Sequence, residues 1–346
     1  MDLARVAAQA EMDLSVVSMM PLGDHRYAGM LRAAGVDVRS LDLAGWWDPR
    51  GPRRLTGLID RLAPDVLHSH LKHADVVAGR VAGKIGVPHV STLHVIEDRV
   101  GGLAARKRDW AAHRRMRSAA LTIAVSDALR SWYLATFPER PERVVTLRNG
   151  VPDPGRFEPA ECAEIRAEIG VPEDAVVATT VAVLRPGKGH DVLMEAAAAV
   201  DGVVFVIVGD GPNMPDIRRR AAALPAERIV FTGFRDDVPR LLAASDLVVH
   251  PALFDALPTA LIQALAAGIP TVASDVGGIP EIVVPGAGVL VPPGDPVSLA
   301  AAIGSLADDG DSRRWMGKAA RERFDQEFDG GAWARRLVAM YRTLTT

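Results

Sequence analysis

The feature that most constrains this chain is a repeated alternation. Short runs rich in Val and Ile are followed by longer Ala/Leu/Arg segments of helical period, and the pattern recurs from one end to the other. Apolar runs of four to eight residues separated by helix-length segments are the signature of βαβ units, which lay strands side by side in parallel sheets. The strand candidates of the first half are Leu14–Met19, Val36–Leu41, Asp65–His68, His89–Thr92, Leu121–Ala124 and Arg143–Leu147. Those of the second half are Val176–Val183, Val203–Val208, Ile229–Phe231, Leu247–His250, Thr271–Ala273 and Gly288–Val291. Helices are expected between them, for example at Leu3–Ala10, Asp191–Val200, Pro258–Ala267 and Val297–Ala307.

A chain of 346 residues exceeds the roughly 250–300 residues at which single cores stop growing, so two domains are expected. The rhythm breaks at Asn149-Gly150-Val151-Pro152-Asp153-Pro154-Gly155, where a strong turn dipeptide meets two prolines. The linker is placed there, with one α/β domain over residues 1–150 and a second over 156–330. Residues 331–346 are expected to pack back on the first domain, because Trp333, Leu337, Val338 and Tyr341 recur at helical spacing. The expected fold class is α/β, with two Rossmann-like domains facing across a cleft.

Charge and cysteine content narrow the function classes. A net charge of −3 gives no reason to expect nucleic acid as a partner. Cys162 is the single cysteine, which excludes an intrachain disulfide and a multi-cysteine zinc site and suits a cytoplasmic protein. Histidines and acids do not fall at metal-ligand spacing, so no protein-held metal and no cofactor are expected. No apolar stretch reaches membrane-spanning length, and the opening residues lack the charged-then-apolar pattern of a secretory signal. The cations between Arg106 and Arg117 could meet the inner membrane face or a phosphorylated acceptor, or form a solvated helix face.

Four segments of the second half carry the candidate chemistry. In Val181-Ala-Val-Leu-Arg185-Pro-Gly187-Lys188-Gly189-His190 a strand ends, a glycine turn follows and a helix opens. Ligands bind at the carboxyl ends of parallel strands, and a helix amino terminus favours anions. Arg185 and Lys188 add two cations there, which suits a diphosphate; the alternative is a solvated basic loop. Val206-Ile-Val-Gly209-Asp210-Gly211-Pro212 is a second strand-to-turn segment, readable as a ligand loop or as a structural turn. The segment from Asp246 through His250, Asp255, Ala256, Leu257, Pro258, Thr259, Ala260 and Gln263 to Gly268 is the most informative. Proline suits a first helical turn, leaving the amides of Thr259 and Ala260 to point at an anion, with Gln263 one turn further in. The fourth, Thr271 to Glu281, carries a Gly277-Gly278 turn. In the first half His68 and His94 each stand at the end of an apolar run, His68 suiting a structural role and His94 a ligand site.

Taken in order, these residues resemble retaining glycosyltransferase family 4, whose members adopt the GT-B fold. The resemblance runs from about Asp13 to about Arg336. It rests on Arg185-x-x-Lys188-Gly189, Val208-Gly-Asp-Gly-Pro212, Asp255-x7-Gln263 and Asp275-Val-Gly-Gly-Ile-Pro-Glu281, with Thr92-x-His94, Val125-Ser126 and Asn149-Gly150-Val151 in the first half. It implies a nucleotide diphosphate sugar as substrate and an acceptor for the sugar. It further implies that Arg185 and Lys188 hold the diphosphate, with Gly187 and Gly209 in the donor loops. Asp255 to Ala260 would hold the sugar and distal phosphate, Gln263 would meet the ribose, Phe234 would lie near the base, and His94 would stand beside the reacting sugar and acceptor. His94, Arg185, Lys188 and Asp255 are thus the expected catalytic set.

Two departures stand out. The family pattern has two glutamates eight positions apart, where this chain has Asp255 and Gln263. The family also opens with a strand and a Gly-Gly loop, whereas this chain opens on what reads as the following helix, Leu3–Ala10, so either the start lies upstream or the first domain is expected to lack an inner strand. A non-catalytic nucleotide-sugar-binding homologue, or a nucleotide-sugar epimerase or phosphorylase on the same fold, are the alternatives.

Overall fold

The computed structural model describes residues 2–23, 26–45, 47–96 and 101–345. Thr346, the end of the expected C-terminal helix, lies outside the described residues. The chain divides into two compact units, one of residues 1–152 and 330–346, the other of residues 153–329.

The second unit is a six-stranded, all-parallel sheet. Its strands are β7 (Val176–Val181), β8 (Val203–Val208), β9 (Ile229–Gly233), β10 (Leu247–His250), β11 (Thr271–Ser274) and β12 (Gly288–Val291). They lie in the order β12-β11-β10-β7-β8-β9. The chain starts in the middle, works outward to β9, then returns to β7 and works outward the other way. That reversal places a topological switch point between β7 and β10, and ligands of doubly wound sheets bind in the crevice at such a point.

The burial of β8 explains why its run reads Val-Val-Phe-Val-Ile-Val. Val203, Phe205 and Ile207 pack into one apolar cluster, while Val204, Val206 and Val208 pack into another. Alternate residues therefore face opposite helical layers, and a strand covered on both faces has no polar side. Cys162 is a free thiol at the edge of the second cluster, its Sγ 3.3 Å from the Ala243 carbonyl oxygen.

The first unit contains two parallel sheets. β1 (Ser15–Ser18) pairs with β2 (Asp37–Ser40), and β3 (Leu67–His70), β4 (His89–Leu93), β5 (Leu121–Ala124) and β6 (Val144–Thr146) form the other in sequence order. By the strand order of the second unit, one further strand would stand between β1 and β3. Among the described residues no strand pairs with both β1 and β3. The first helix runs from Asp2 to Val6 and tightens to a 3₁₀ turn over Ala7–Ala10.

The Gly330–Thr345 helix belongs to this first unit. Leu337 packs with Val90, Ile123 and Leu147, while Ala334 packs with Val6 and Ala10. β7 ends at Val181 rather than Val183 and β9 extends to Gly233 rather than Phe231, and one strand is shifted as a whole. β3 covers Leu67–His70 rather than Asp65–His68, because the Leu67 amide bonds the Pro88 carbonyl and sets Leu67 opposite His89. His70 therefore ends the strand, and His68 lies within it.

Candidate active site

At the switch point, three loops press against one another and a glycine stands at each contact. Gly187, in the turn after β7, has φ +87°, and a Cβ there would lie 2.2 Å from the Phe254 ring. Its carbonyl accepts from the Leu253 amide at 2.9 Å. Gly189 has φ +71°, and its Cβ would stand 1.8 Å from the Pro251 carbonyl oxygen. Gly277 in the loop after β11 bears in the same way on Asp255, whose carbonyl also accepts from the Gly278 amide at 3.1 Å. Only glycine combines such a φ with so close an approach of backbone to backbone.

This stacking fixes the side chains between the loops. Lys188 Nζ lies 2.5 Å from Asp255 Oδ2, and His250 Nε2, at the end of β10, lies 3.2 Å from the same oxygen. Lys188 and Asp255 side chains are each 15% exposed, so the pair is largely withdrawn from water but open on one side. Burial alone would raise the Asp255 pKa. The His250 hydrogen bond and the Lys188 charge outweigh it and hold the carboxyl at about 2, so Asp255 is ionised throughout the neutral range. His190 opens the His190–Ala197 helix, fully buried. Burial, followed by the charge of His250, pushes its pKa down to about 4.

The remaining residues expected to meet a donor divide by strand. Arg185 sits on the turn with Lys188, its side chain exposed and its carbonyl accepting from the Lys188 amide at 3.3 Å. The Thr259–Ala266 helix follows Pro258, with Thr259 exposed at its opening and Gln263 half-buried one turn in. The first amides of such a helix have no acceptor within it and remain available to an anion. Ala256 and Leu257 are buried, so what they offer a ligand is backbone. Gly209 and Phe234 stand on the other side of Lys188, after β8 and β9. The Gly209 amide bonds the Gly233 carbonyl at 2.8 Å, and a Cβ on Gly209 would lie 2.0 Å from the Ala182 carbonyl oxygen, so this glycine ties three strand ends together. Phe234 follows the edge strand and is 42% exposed.

The first unit gathers histidines at the carboxyl ends of β3 and β4. His94 Nε2 lies 2.8 Å from His70 Nδ1. His68 is held by Thr92 Oγ1 at 2.6 Å and the Tyr341 hydroxyl at 2.5 Å, a structural position linking the sheet to the last helix. Desolvation lowers all three pKa values: well down for His68, to about 4 for His70 with help from the His94 charge, and downward for His94. A pocket of about 180 Å³ opens beside His94, walled by Leu71, Trp132, Tyr133, Phe137 and Arg108.

Beneath it lies a buried ion pair. Asp75 accepts from Arg115 at 2.5 and 2.8 Å, from Ser69 at 2.5 Å and from Ser91 at 2.7 Å. Arg115 thus leaves the basic face expected over Arg106–Arg117, since it is buried and points inward from the Gly102–Ser118 helix. Arg108 also turns inward, its side chain 16% exposed. His250, which bonds Asp255, and Asp75, beneath the His94 pocket, are residues to which the sequence analysis assigned no role. Among the described residues no helix is long and apolar enough to cross a membrane, and no group of three or more His, Cys, Asp or Glu is placed to hold a metal.

Comparison with known proteins decides the family. Residues 162–323 match the model of glycosyl transferases group 1, and residues 1–153 match that of Glycosyltransferase Family 4. An alpha-maltose-1-phosphate synthase of Mycolicibacterium smegmatis is 30% identical over 311 residues, covering 82% of this chain and 80% of the relative. The chain belongs to the GT-B glycosyltransferases. An alpha-D-kanosaminyltransferase of Streptomyces kanamyceticus is 27% identical over 277 residues, covering 75% and 72% of the two chains. Among solved structures, Anabaena Alr3699/HepE in complex with UDP-glucose superposes with a TM-score of 0.87 at 23% identity, over 99% of this chain and 94% of that one. The sucrose-phosphate synthase of Thermosynechococcus elongatus gives 0.82 at 21% identity, over 99% and 91%. For this glycosyltransferase the Lys188–Asp255 crevice at the β7/β10 switch point is the candidate active site.

Proposed function

We propose that this glycosyltransferase takes a sugar from a nucleotide diphosphate sugar and passes it to an acceptor hydroxyl with retention of anomeric configuration, as a member of family 4. The observation that carries the reading is the convergence at the β7/β10 switch. The turn bearing Arg185 and Lys188 and the opening of the Thr259–Ala266 helix stand at the carboxyl ends of neighbouring strands. Two cations and a row of unsatisfied amides at one crevice suit a diphosphate. The UDP-glucose bound by the Anabaena structure supports that class of donor.

In the proposed reaction, the donor's phosphates compete with Asp255 for Lys188. As Lys188 turns to the diphosphate, the Asp255 carboxylate becomes free to accept from sugar hydroxyls. The bond between C1 and the phosphate oxygen breaks, and negative charge collects on the departing diphosphate. Arg185, Lys188 and the helix amides stabilise that charge more in the transition state than in the ground state. The acceptor oxygen bonds to C1 from the same face, and its proton passes to the leaving phosphate oxygen. Gln263 accepts from a ribose hydroxyl, Phe234 stands near the base, and His94 meets the acceptor. Arg106, Lys107 and Arg117, which remain exposed on their helix, support peripheral contact of a cytoplasmic enzyme with an anionic membrane face.

A thermal-shift screen of nucleotide diphosphate sugars tests the donor assignment, because a ligand that binds only the folded state raises its apparent stability. With the donor in hand, the proton NMR coupling at C1 of the product tests the stereochemistry. A product of opposite configuration to the donor would overturn retention. Unchanged turnover in both Arg185→Ala and Lys188→Ala would overturn the site.

A further inference from the structure

The helix Arg50–Leu62 carries a second concentration of charge that sugar transfer does not use. Together with the end of β2 it bounds an open groove of about 620 Å³, lined by Arg39, Arg50, Arg53, Arg54 and Arg61 and by a single acid, Asp42. The four helical arginines recur at positions 50, 53, 54 and 61, along one stripe of a 3.6-residue period. Asp60, the helix's one acid, is not among the residues lining the groove.

These cations are not equally engaged. Arg39 pairs with Asp37 at 2.8 Å and Arg50 with Asp48 at 2.5 Å. Arg54 instead donates to two neutral acceptors, the carbonyls of Leu41 at 2.6 Å and Asp42 at 2.9 Å. Asp42 adopts φ +47° there, in the left-handed region. The Arg54 charge is therefore fixed in position without being neutralised. Arg53, Arg54 and Arg61 have no carboxylate partner among the described residues.

A second, independent observation points the same way. Gly57 stands mid-helix between Arg53–Arg54 and Arg61, where glycine is among the poorest helix formers. Packing does not call for it, since an added Cβ would meet only the far end of Arg61, at 3.9 Å. What the missing side chain does is leave the groove floor open between the arginines. An ordinary solvated helix face mixes acids, lysines and good helix formers, whereas this stripe offers guanidinium groups around a gap.

We propose that the groove between β2 and the Arg50–Leu62 helix is a second anion site, which takes a ligand bearing two or more phosphate groups. Guanidinium forks match phosphate oxygens bidentately. From Arg50 to Arg61 the helix rises about 16 Å, too far for one phosphate to bridge. The phosphates come from a soluble phosphorylated molecule or from lipid headgroups, and the two sources are separable by experiment.

The test uses the full chain in a Lys188→Ala background, so that phosphate binding at the donor crevice does not obscure the result and the two sites fail independently. Tripolyphosphate is titrated by calorimetry, and phosphatidylcholine vesicles with and without phosphatidylglycerol are sedimented with the protein. Arg53→Glu/Arg61→Glu is expected to weaken tripolyphosphate binding about tenfold or more if the ligand is soluble. It is expected to abolish the phosphatidylglycerol-dependent sedimentation if the source is lipid. Gly57→Leu keeps every charge and favours the helix while filling the floor, so it should lower the same binding without lowering the melting temperature. Binding of both probes that is unchanged by Gly57→Leu overturns the groove as the site. Binding of both probes that is unchanged by the double glutamate variant overturns the anion assignment.

Discussion

Lys188 Nζ and Asp255 Oδ2, 67 positions apart in sequence, lie 2.5 Å from each other and close the crevice between the β7 and β10 loops. The contact joins a cation of the turn after β7 to an acid of the loop after β10. In the free enzyme each neutralises the other, which makes two partly buried charges tolerable where either alone would be costly. On the proposed donor mode a diphosphate replaces one partner of the pair, so binding would exchange one ion pair for another.

Arg185 and Lys188 should therefore respond differently to truncation. Arg185→Ala removes an exposed side chain and should leave stability within about 0.5 kcal/mol. Lys188→Ala leaves the Asp255 carboxylate with His250 as its remaining side-chain partner and should cost about 1–3 kcal/mol. Each should lower turnover by roughly 100- to 1000-fold, as expected for loss of one donor to a developing anion. Melting curves and kcat on the two variants check the contrast. Equal destabilisation would show that Lys188 does not balance Asp255.

Gly189→Ala tests the backbone contact that positions this pair. The new Cβ would stand 1.8 Å from the Pro251 carbonyl oxygen at φ +71°. Strain of the left-handed conformation and forced displacement of backbone should together cost about 3 kcal/mol or more. Chemical denaturation should give a lower midpoint with an unchanged slope. Gly57→Ala makes a useful reference, because its Cβ meets only the far end of Arg61 at 3.9 Å and it should gain up to about 1 kcal/mol.

The pH dependence of stability should have two stages in the second unit. His190 is depressed from 6.5 to about 4, so its contribution is fully present above pH 6.5 and is lost as pH falls toward 4. Buried as it is, that loss amounts to about 3 kcal/mol. Asp255 is depressed from 3.8 to about 2, so its contribution is present above pH 4 and disappears between about pH 4 and 2, with a size of about 2 kcal/mol. Melting temperatures across pH 7 to 2 should fall in that order, and Asp255→Asn should shrink the lower stage, to which the depressed Asp153 and Asp237 also contribute, without changing the upper one. His190→Gln should shrink the upper stage, which the depressed His70 of the first unit shares, and a stage of unchanged size would reassign the His190 part to another group.

Much of this was legible in the sequence, for reasons that specific residues make plain. Most strands of the described residues could be located from their Val/Ile runs, because a strand covered on both faces by apolar clusters, such as β8, carries no polar residue. Lys188, Asp255 and the glycines around them could be found because a backbone approach near 2 Å leaves glycine as the residue that fits. The partnerships were hidden. Nothing local says that His250 turns toward Asp255, or that His70 reaches His94 across two strands. Arg115 looked like one more cation on a basic helix, since its burial depends on an acid 40 positions away. The β3 boundary slipped by two residues because it is set by pairing with β4, which local propensity does not encode.

That Arg115–Asp75 pair leads to the last prediction. Both side chains are almost fully buried, and Asp75 accepts four hydrogen bonds, two from Arg115 and one each from Ser69 and Ser91. Removing one partner strands the other charge in a low-dielectric interior, so Arg115→Met should destabilise the first unit by about 3–5 kcal/mol. Replacing both ions, as in Asp75→Leu/Arg115→Met, removes the stranded charge and restores apolar volume. Ser69 keeps its contact with His89 Nε2 at 2.7 Å, while Ser91 loses the partner it finds in Asp75. The double variant should therefore be more stable than Arg115→Met alone, with a positive coupling of about 1–3 kcal/mol in a double-mutant cycle. Because the pair lies under the His94 pocket, whose wall includes Arg115, the same cycle read in acceptor KM separates support of the pocket from support of the fold. A KM that rises in the double variant after stability has recovered assigns the ion pair to shaping the pocket, and an unchanged KM assigns it to the core.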